Sequence, residues 1–272
     1  MLTEAFPAST TTLLSASAGC AAAALLFQLI TRNWQLKTES TIRLHHHPHT
    51  SLGRSALAGI LLLTGPLLSL LLTGHGIDPN ALTLALALVP IVAAVTQNAL
   101  GNATPDSFAA RTWPALAALT GLLLLVPQPS FANPIADATL LLAPLATGIG
   151  AALFSTSASP KNQLAFPTTL SATALLFSAA WLVQYLLHHT SAHLSPLAAL
   201  LDAATALLTL LALSRIGLAS WSAQFVLVPL AVILQGFVLL RPPIDPYNSA
   251  GIALLLLGCI FLLLPQPTEK AA

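Results

Sequence analysis

The chain has 272 residues, of which 56% are hydrophobic and only 6% are charged, against about 25% charged in a soluble globular domain. A surface so poor in charge faces something other than water. The formal net charge of +1 leaves no basic face to neutralise phosphates, so nucleic acid is not an expected partner.

The N-terminus reads Met1-Leu2-Thr3-Glu4 and lacks the positive region of a signal peptide, so the first apolar stretch is expected to be a retained helix. A membrane-spanning helix needs about 20 mostly apolar residues. Nine segments meet that length or approach it: 10–30, 55–74, 80–100, 111–127, 134–154, 165–187, 195–214, 219–238 and 247–264. They are apolar all round and too long for the alternating strands of an outer-membrane barrel. The expected fold is therefore all-α, a polytopic integral membrane helix bundle, with the lipid bilayer as its surroundings. Each gap carries turn residues or charge, as in Gly74-His75-Gly76-Ile77-Asp78-Pro79, Pro127-Gln128-Pro129 and Arg241-Pro242-Pro243-Ile244-Asp245-Pro246.

Between the first two spans, Thr31 to Arg54 reads as a long polar loop holding Arg32, Lys37, Arg43 and Arg54. Positive loops stay on the cytoplasmic side. With this loop inside and nine spans counted alternately, Arg111, Lys161, Arg215 and Lys270 also fall inside, and of the basic residues Arg241 alone falls outside. The expected location is a multi-pass inner membrane protein with its N-terminus outside.

Some clusters have two readings. His45-His46-His47-Pro48-His49 could ligate a metal, but it sits in the polar loop without cysteine, and a solvated loop is the expected reading. His188, His189 and His193 are expected at an outer interface beside Tyr185. Cys20 and Cys259 lie in apolar runs without a CxxC pattern and read as small core residues. Gln28, Gln97, Asn98, Gln184, Gln224 and Gln235 are polar groups within spans, where interhelical hydrogen bonds are worth about 0.6 kcal/mol each. Gln224 is also a candidate to line a cavity, because its span carries Pro229. Asp202 is the carboxylate placed inside a span. It is read either as an interfacial residue near His189 or His193, or as a cavity residue binding a proton or a cationic group, with Thr205 and Thr209 extending its face. No nucleophile with a base, nucleotide-binding loop or HExxH motif is recognisable, so neither an enzyme nor a cofactor is expected.

The chain resembles itself. Val89-Pro90-Ile91-Val92-Ala93-Ala94 opens a stretch that ends before a Pro-Asp turn, and so does Val228-Pro229-Leu230-Ala231-Val232-Ile233. Each turn is followed by a span with a late glycine, Gly121 or Gly258. The orientation above makes the two copies inverted, with 1–130 as the first repeat and 131–272 as the second.

The segment Leu208 to Pro265 resembles the end of an EamA-type repeat of the drug/metabolite transporter superfamily. The matching pieces are Leu213-Ser214-Arg215-Ile216-Gly217-Leu218-Ala219-Ser220, the span with Pro229, Pro243-Ile244-Asp245-Pro246, Gly251 and Gly258. Ala81 to Val126 resembles the same part of the first repeat more weakly. The resemblance implies ten spans, of which the first is missing here, and it implies alternating-access transport of small organic solutes, with protons a candidate coupling ion. In that family aromatic residues line the cavity, which implies such a role for Trp181 and Trp221. The expected substrate-binding set is thus Asp202, Thr205, Gln224, Trp221 and Trp181. The family's glutamate after each proline-bearing span is absent, and the alternative is a non-transporting or degenerate protein of the same fold.

Overall fold

In the computed structural model the described residues are 6–38, 50–73, 78–101, 105–126, 134–157, 165–188, 196–240 and 245–264, and they form helices and tight turns with no strand among them. The helices are α1 (Phe6–Thr38), α2 (Thr50–Thr73), α3 (Pro79–Leu86), α4 (Val89–Ala99), α5 (Pro105–Leu125), α6 (Pro134–Ser157), α7 (Ala165–His188), α8 (Pro196–Ile216), α9 (Leu218–Ser222), α10 (Gln224–Leu240) and α11 (Pro246–Leu263). Five of them begin on a proline. That residue has no N–H to lose at the first turn, and its fixed φ is already helical.

Eight stretches are long and apolar enough to cross a bilayer: Thr12–Leu29, Pro79–Ala99, Phe108–Leu125, Leu140–Ser157, Ala165–Val183, Pro196–Ile216, Leu218–Leu239 and Pro246–Leu263. The chain is a multi-pass, membrane-type helical protein. The expected span 55–74 falls on α2, a helix of 24 residues.

Three expectations change. The polar loop 31–54 is cut back, because α1 runs on to Thr38 and α2 starts at Thr50. The stretch Thr31 to Thr38 contains neither Gly nor Pro, so polarity alone does not stop the helix. Next, the span 80–100 is two helices with a break at Ala87-Leu88. Pro90 accounts for it: the missing N–H cannot bond the Leu86 carbonyl, and the ring crowds that carbonyl. The span 219–238 is likewise two helices, broken at Ala223. Here the break lies six residues before Pro229, which stays inside α10.

The chain divides into two compact units, each drawing on both halves of the sequence: 1–63 with 153–215, and 64–152 with 216–272. In the first unit α1 packs along α7, with Phe27 stacked on Phe166 at 4.9 Å between ring centroids and Phe154 edge-on to Phe166 at 5.3 Å. The buried face of α1 is made of small residues, Ala16, Cys20, Ala23 and Ala24 with Leu13, and such residues let membrane helices approach closely. Gly59 of α2 lies against the backbone of Thr169. The Thr169 hydroxyl stands 2.6 Å from its own-turn acceptor Ala165 O and 3.1 Å from Ser55 O on α2, so its single proton is shared between the two helices.

In the second unit α5 packs against α11. A Cβ built on Gly121 would stand 2.6 Å from both Gly251 O and Leu255 N, and one built on Gly258 would stand 2.6 Å from Pro114 O and 2.7 Å from Ala118 N. The contacts are reciprocal and run in opposite directions along the two helices, so α5 and α11 are antiparallel. The core beside them gathers Ala87, Ala115, Ala118, Leu122, Ala223, Val226, Leu230 and Leu255. The breaks of both interrupted spans, at Ala87 and Ala223, therefore lie in one buried cluster.

Candidate functional site

Asp202 lies on α8, six residues or about 9 Å past the helix start at Pro196. The side of α8 that packs inward carries Ala199, Ala203, Ala206, Leu210 and Leu213, of which the last four are buried. Asp202 borders that side and is half-buried. Across from it is Gly19 of α1: a Cβ there would stand 2.9 Å from the Asp202 Cβ and 2.7 Å from Ala199 O. Cys20 is the next residue on α1. Among the described residues, Asp202 has no hydrogen-bond or ion-pair partner. A charge at a helix centre costs about 2.5–3.5 kcal/mol on insertion scales, and less towards an end, which is where Asp202 lies on α8.

The expected polar stripe is split by the helix geometry. Thr209 shares the half-buried side with Asp202, whereas Thr205 is exposed and donates to Leu201 O on its own helix at 2.8 Å. Trp181 of α7 is partly buried and stacked on Tyr185 at 5.7 Å. Its indole N–H is enclosed with no acceptor among the described residues. These three predicted site residues, Asp202, Thr205 and Trp181, belong to the first unit.

Trp221 and Gln224 belong to the second unit and straddle the break at Ala223. Trp221 is buried, at 3% exposure, and edge-on to Phe225 at 5.4 Å. Gln224 is exposed at the first turn of α10. Half-helix ends of this kind frame the binding sites of many transporters. α9 is preceded by Gly217, whose φ of 79° is open to glycine at little cost.

One polar group that sequence reasoning placed at a loop edge is inside the protein. Arg111 sits in α5, one and a half turns from Pro105, and is buried. Its guanidinium donates to the Gln97 side chain of α4. Gln97 therefore acts as the interhelical tie expected of it, while Asn98 is exposed. The start of α5 on Pro105 was the available signal that Arg111 is helical. Cys20 and Cys259 are buried free thiols in the core, as expected. The His45 to His49 run and residues His189 and His193 lie outside the described residues. Among the described residues no group of three metal-ligating side chains assembles. An open apolar groove of about 660 Å³ runs along the seam of α5 and α11, lined by residues such as Ala110, Trp113, Leu257 and Phe261. None of the five expected site residues lines it.

No known protein family and no functionally characterised protein matches the chain.

Proposed function

We propose that the protein is a secondary transporter that moves small organic solutes across the inner membrane by alternating access, built from two inverted EamA-like repeats. The observation that carries this reading is the reciprocity inside the second unit. Gly121 meets Gly251 and Leu255, and Gly258 meets Pro114 and Ala118, so a shift of 137 residues turns one set of contacts into the other. The same unit places the breaks of both interrupted spans in one buried cluster. An antiparallel pair of related helices beside two interrupted spans is what inverted repeats with a midplane site would produce.

In this reading the candidate solute contacts are Asp202, Thr205 and Trp181 within the first unit and Trp221 and Gln224 within the second, each taken within its own unit, and protons are the proposed coupling ion. The chain carries no nucleotide-binding motif, which fits a gradient-driven process. The test is uptake of a panel of labelled amino acids, amines and nucleosides into liposomes holding the purified protein, with and without an imposed pH gradient. Saturable uptake above that of empty liposomes supports transport. Absence of uptake for every solute, by protein shown to be folded and inserted, overturns it in favour of a non-transporting membrane protein.

A further inference from the structure

We propose that the outward stripe of α10 is the contact surface of a homodimer, in which two copies of this chain set their glutamines against each other within the membrane. The stripe follows from helix geometry. At about 100° per residue, Gln224, Val228, Ala231, Gln235 and Val238 fall within about 40° of one line, and all of them are exposed. The opposite face of α10 carries Val226 and Leu230, which are buried in the core of the second unit. The helix belongs to the apolar stretch Leu218–Leu239. Gln224 stands about 9 Å inside one end of that stretch and Gln235 about 6 Å inside the other. Neither amide has a hydrogen-bond partner among the described residues. Exposed hydroxyls elsewhere in the spans behave differently: Thr120, Thr205 and Ser214 each donate to a carbonyl of their own helix. A glutamine carries two N–H donors and a carbonyl acceptor on a longer stem, and on α10 these groups point away from the protein with nothing to meet.

Lipid tails offer neither donor nor acceptor, so amides that face them are satisfied by another helix. Self-complementarity selects a second copy as that helix. Copies of one chain insert with the same orientation, so a two-fold axis between them runs along the membrane normal and sets the two α10 helices parallel. Residues on such an axis meet their own equivalents. An amide is its own complement, since each carbonyl accepts from the facing NH₂ group, giving two bonds per layer. Both glutamine layers close at once, because Gln224 and Gln235 share one line three turns apart. A foreign helix would need amides at both depths. Between the layers Ala231 is small enough to let the backbones approach. Val228 and Val238 hold one dominant rotamer in a helix, so packing costs them little freedom. Neither layer depends on transport. The one consequence for that reading is that Gln224, once covered, leaves the candidate solute contacts.

The experiment is association of the full chain in liposomes, followed by single-molecule photobleaching as the protein is diluted in lipid. Wild type is expected to pass reversibly from dimer to monomer. Gln224→Leu and Gln235→Leu, at exposed positions where leucine suits the bilayer, should keep helical content and each weaken dimerisation about five- to tenfold. The double variant should lose more than either. Gln235→Asn, which keeps an amide at that depth, should retain more association than Gln235→Leu. Oxidative crosslinking in native membranes reads the geometry, and the native Cys20 and Cys259 are buried. Ala231→Cys should give a crosslinked dimer, whereas Leu200→Cys, exposed on α8, should not. The proposal is overturned if wild type stays monomeric at every protein-to-lipid ratio, if the double variant dimerises like wild type, or if Ala231→Cys crosslinks no better than Leu200→Cys. Crosslinking of Ala231→Cys to a different protein would assign the stripe to a foreign partner and overturn it equally. Uptake lost in Gln224→Leu with dimerisation unchanged would return Gln224 to the solute path and overturn the amide pairing.

Discussion

Glycines 121 and 258 set the closest approach in the second unit, since a Cβ at either would collide with backbone atoms 2.6 to 2.7 Å away. Backbone cannot swing aside as a side-chain tip can, so Gly121→Ala and Gly258→Ala are each expected to destabilise by about 1–3 kcal/mol, read as a lower melting temperature in detergent. Gly236, in the interior of α10, has nothing within 4 Å. Gly236→Ala should be neutral or stabilise by about 0.5–1 kcal/mol through lost backbone freedom in the unfolded chain. A uniform loss across all three variants would contradict the packing described here. At Arg111 the expectation runs through desolvation. Gln97→Leu removes an acceptor from a buried guanidinium and should cost about 1–3 kcal/mol, while Asn98→Leu, at an exposed position, should cost little. Much of this scale was legible beforehand: the two late glycines and the polar Gln97 stand out in apolar text. What sequence did not carry is which backbone each glycine faces, because that depends on antiparallel pairing across more than a hundred residues. Nor did it show that Thr205 and Thr209 differ in burial: both lie on the Asp202 flank of the buried side of α8, Thr209 about 20° and Thr205 about 60° round from Asp202, and only Thr205 is turned far enough to be exposed.

The elements differ from their sequence-based outlines where a breaker acts at a distance or is missing. Pro90 was legible as a landmark, and its consequence, the end of α3 at Leu86, follows from the i−4 carbonyl it cannot satisfy. The break at Ala223 had no such signal, because Pro229 is six residues on and the turn is made by an alanine within a buried cluster. The early end assigned to α1 followed polarity, although Arg32, Gln35 and Lys37 are good helix formers. Pro90→Ala restores the missing N–H, so amide exchange around residues 86–90 should slow. If the interruption serves alternating access, uptake should fall about tenfold, equivalent to about 1.4 kcal/mol in the barrier. Unchanged exchange in that variant would mean that tertiary packing, rather than the proline, sets the break.

At the scale of the molecule, composition together with the long unbroken apolar runs pointed to the all-helical, multi-pass character, because a chain with 6% charged residues cannot clothe itself for water and the runs are too long for barrel strands. The two compact units each mix early and late segments, and no local pattern could have shown that. Orientation is where sequence and packing can be compared directly. Between α4 and α11 lie five stretches capable of crossing the bilayer: Phe108–Leu125, Leu140–Ser157, Ala165–Val183, Pro196–Ile216 and Leu218–Leu239. An odd number of crossings puts the end of α4 and the start of α11 on opposite faces, and it also requires α5 and α11 to run antiparallel, as their glycine contacts do. The central claim, that the two repeats are inverted, is therefore tested most directly by sided labelling of Asn98→Cys and Tyr247→Cys, both at exposed positions near helix ends. In intact cells an impermeant maleimide should label the cysteine at 247 at once and the cysteine at 98 only after permeabilisation. Labelling of both from the same side would contradict the inverted arrangement and the transport reading built on it.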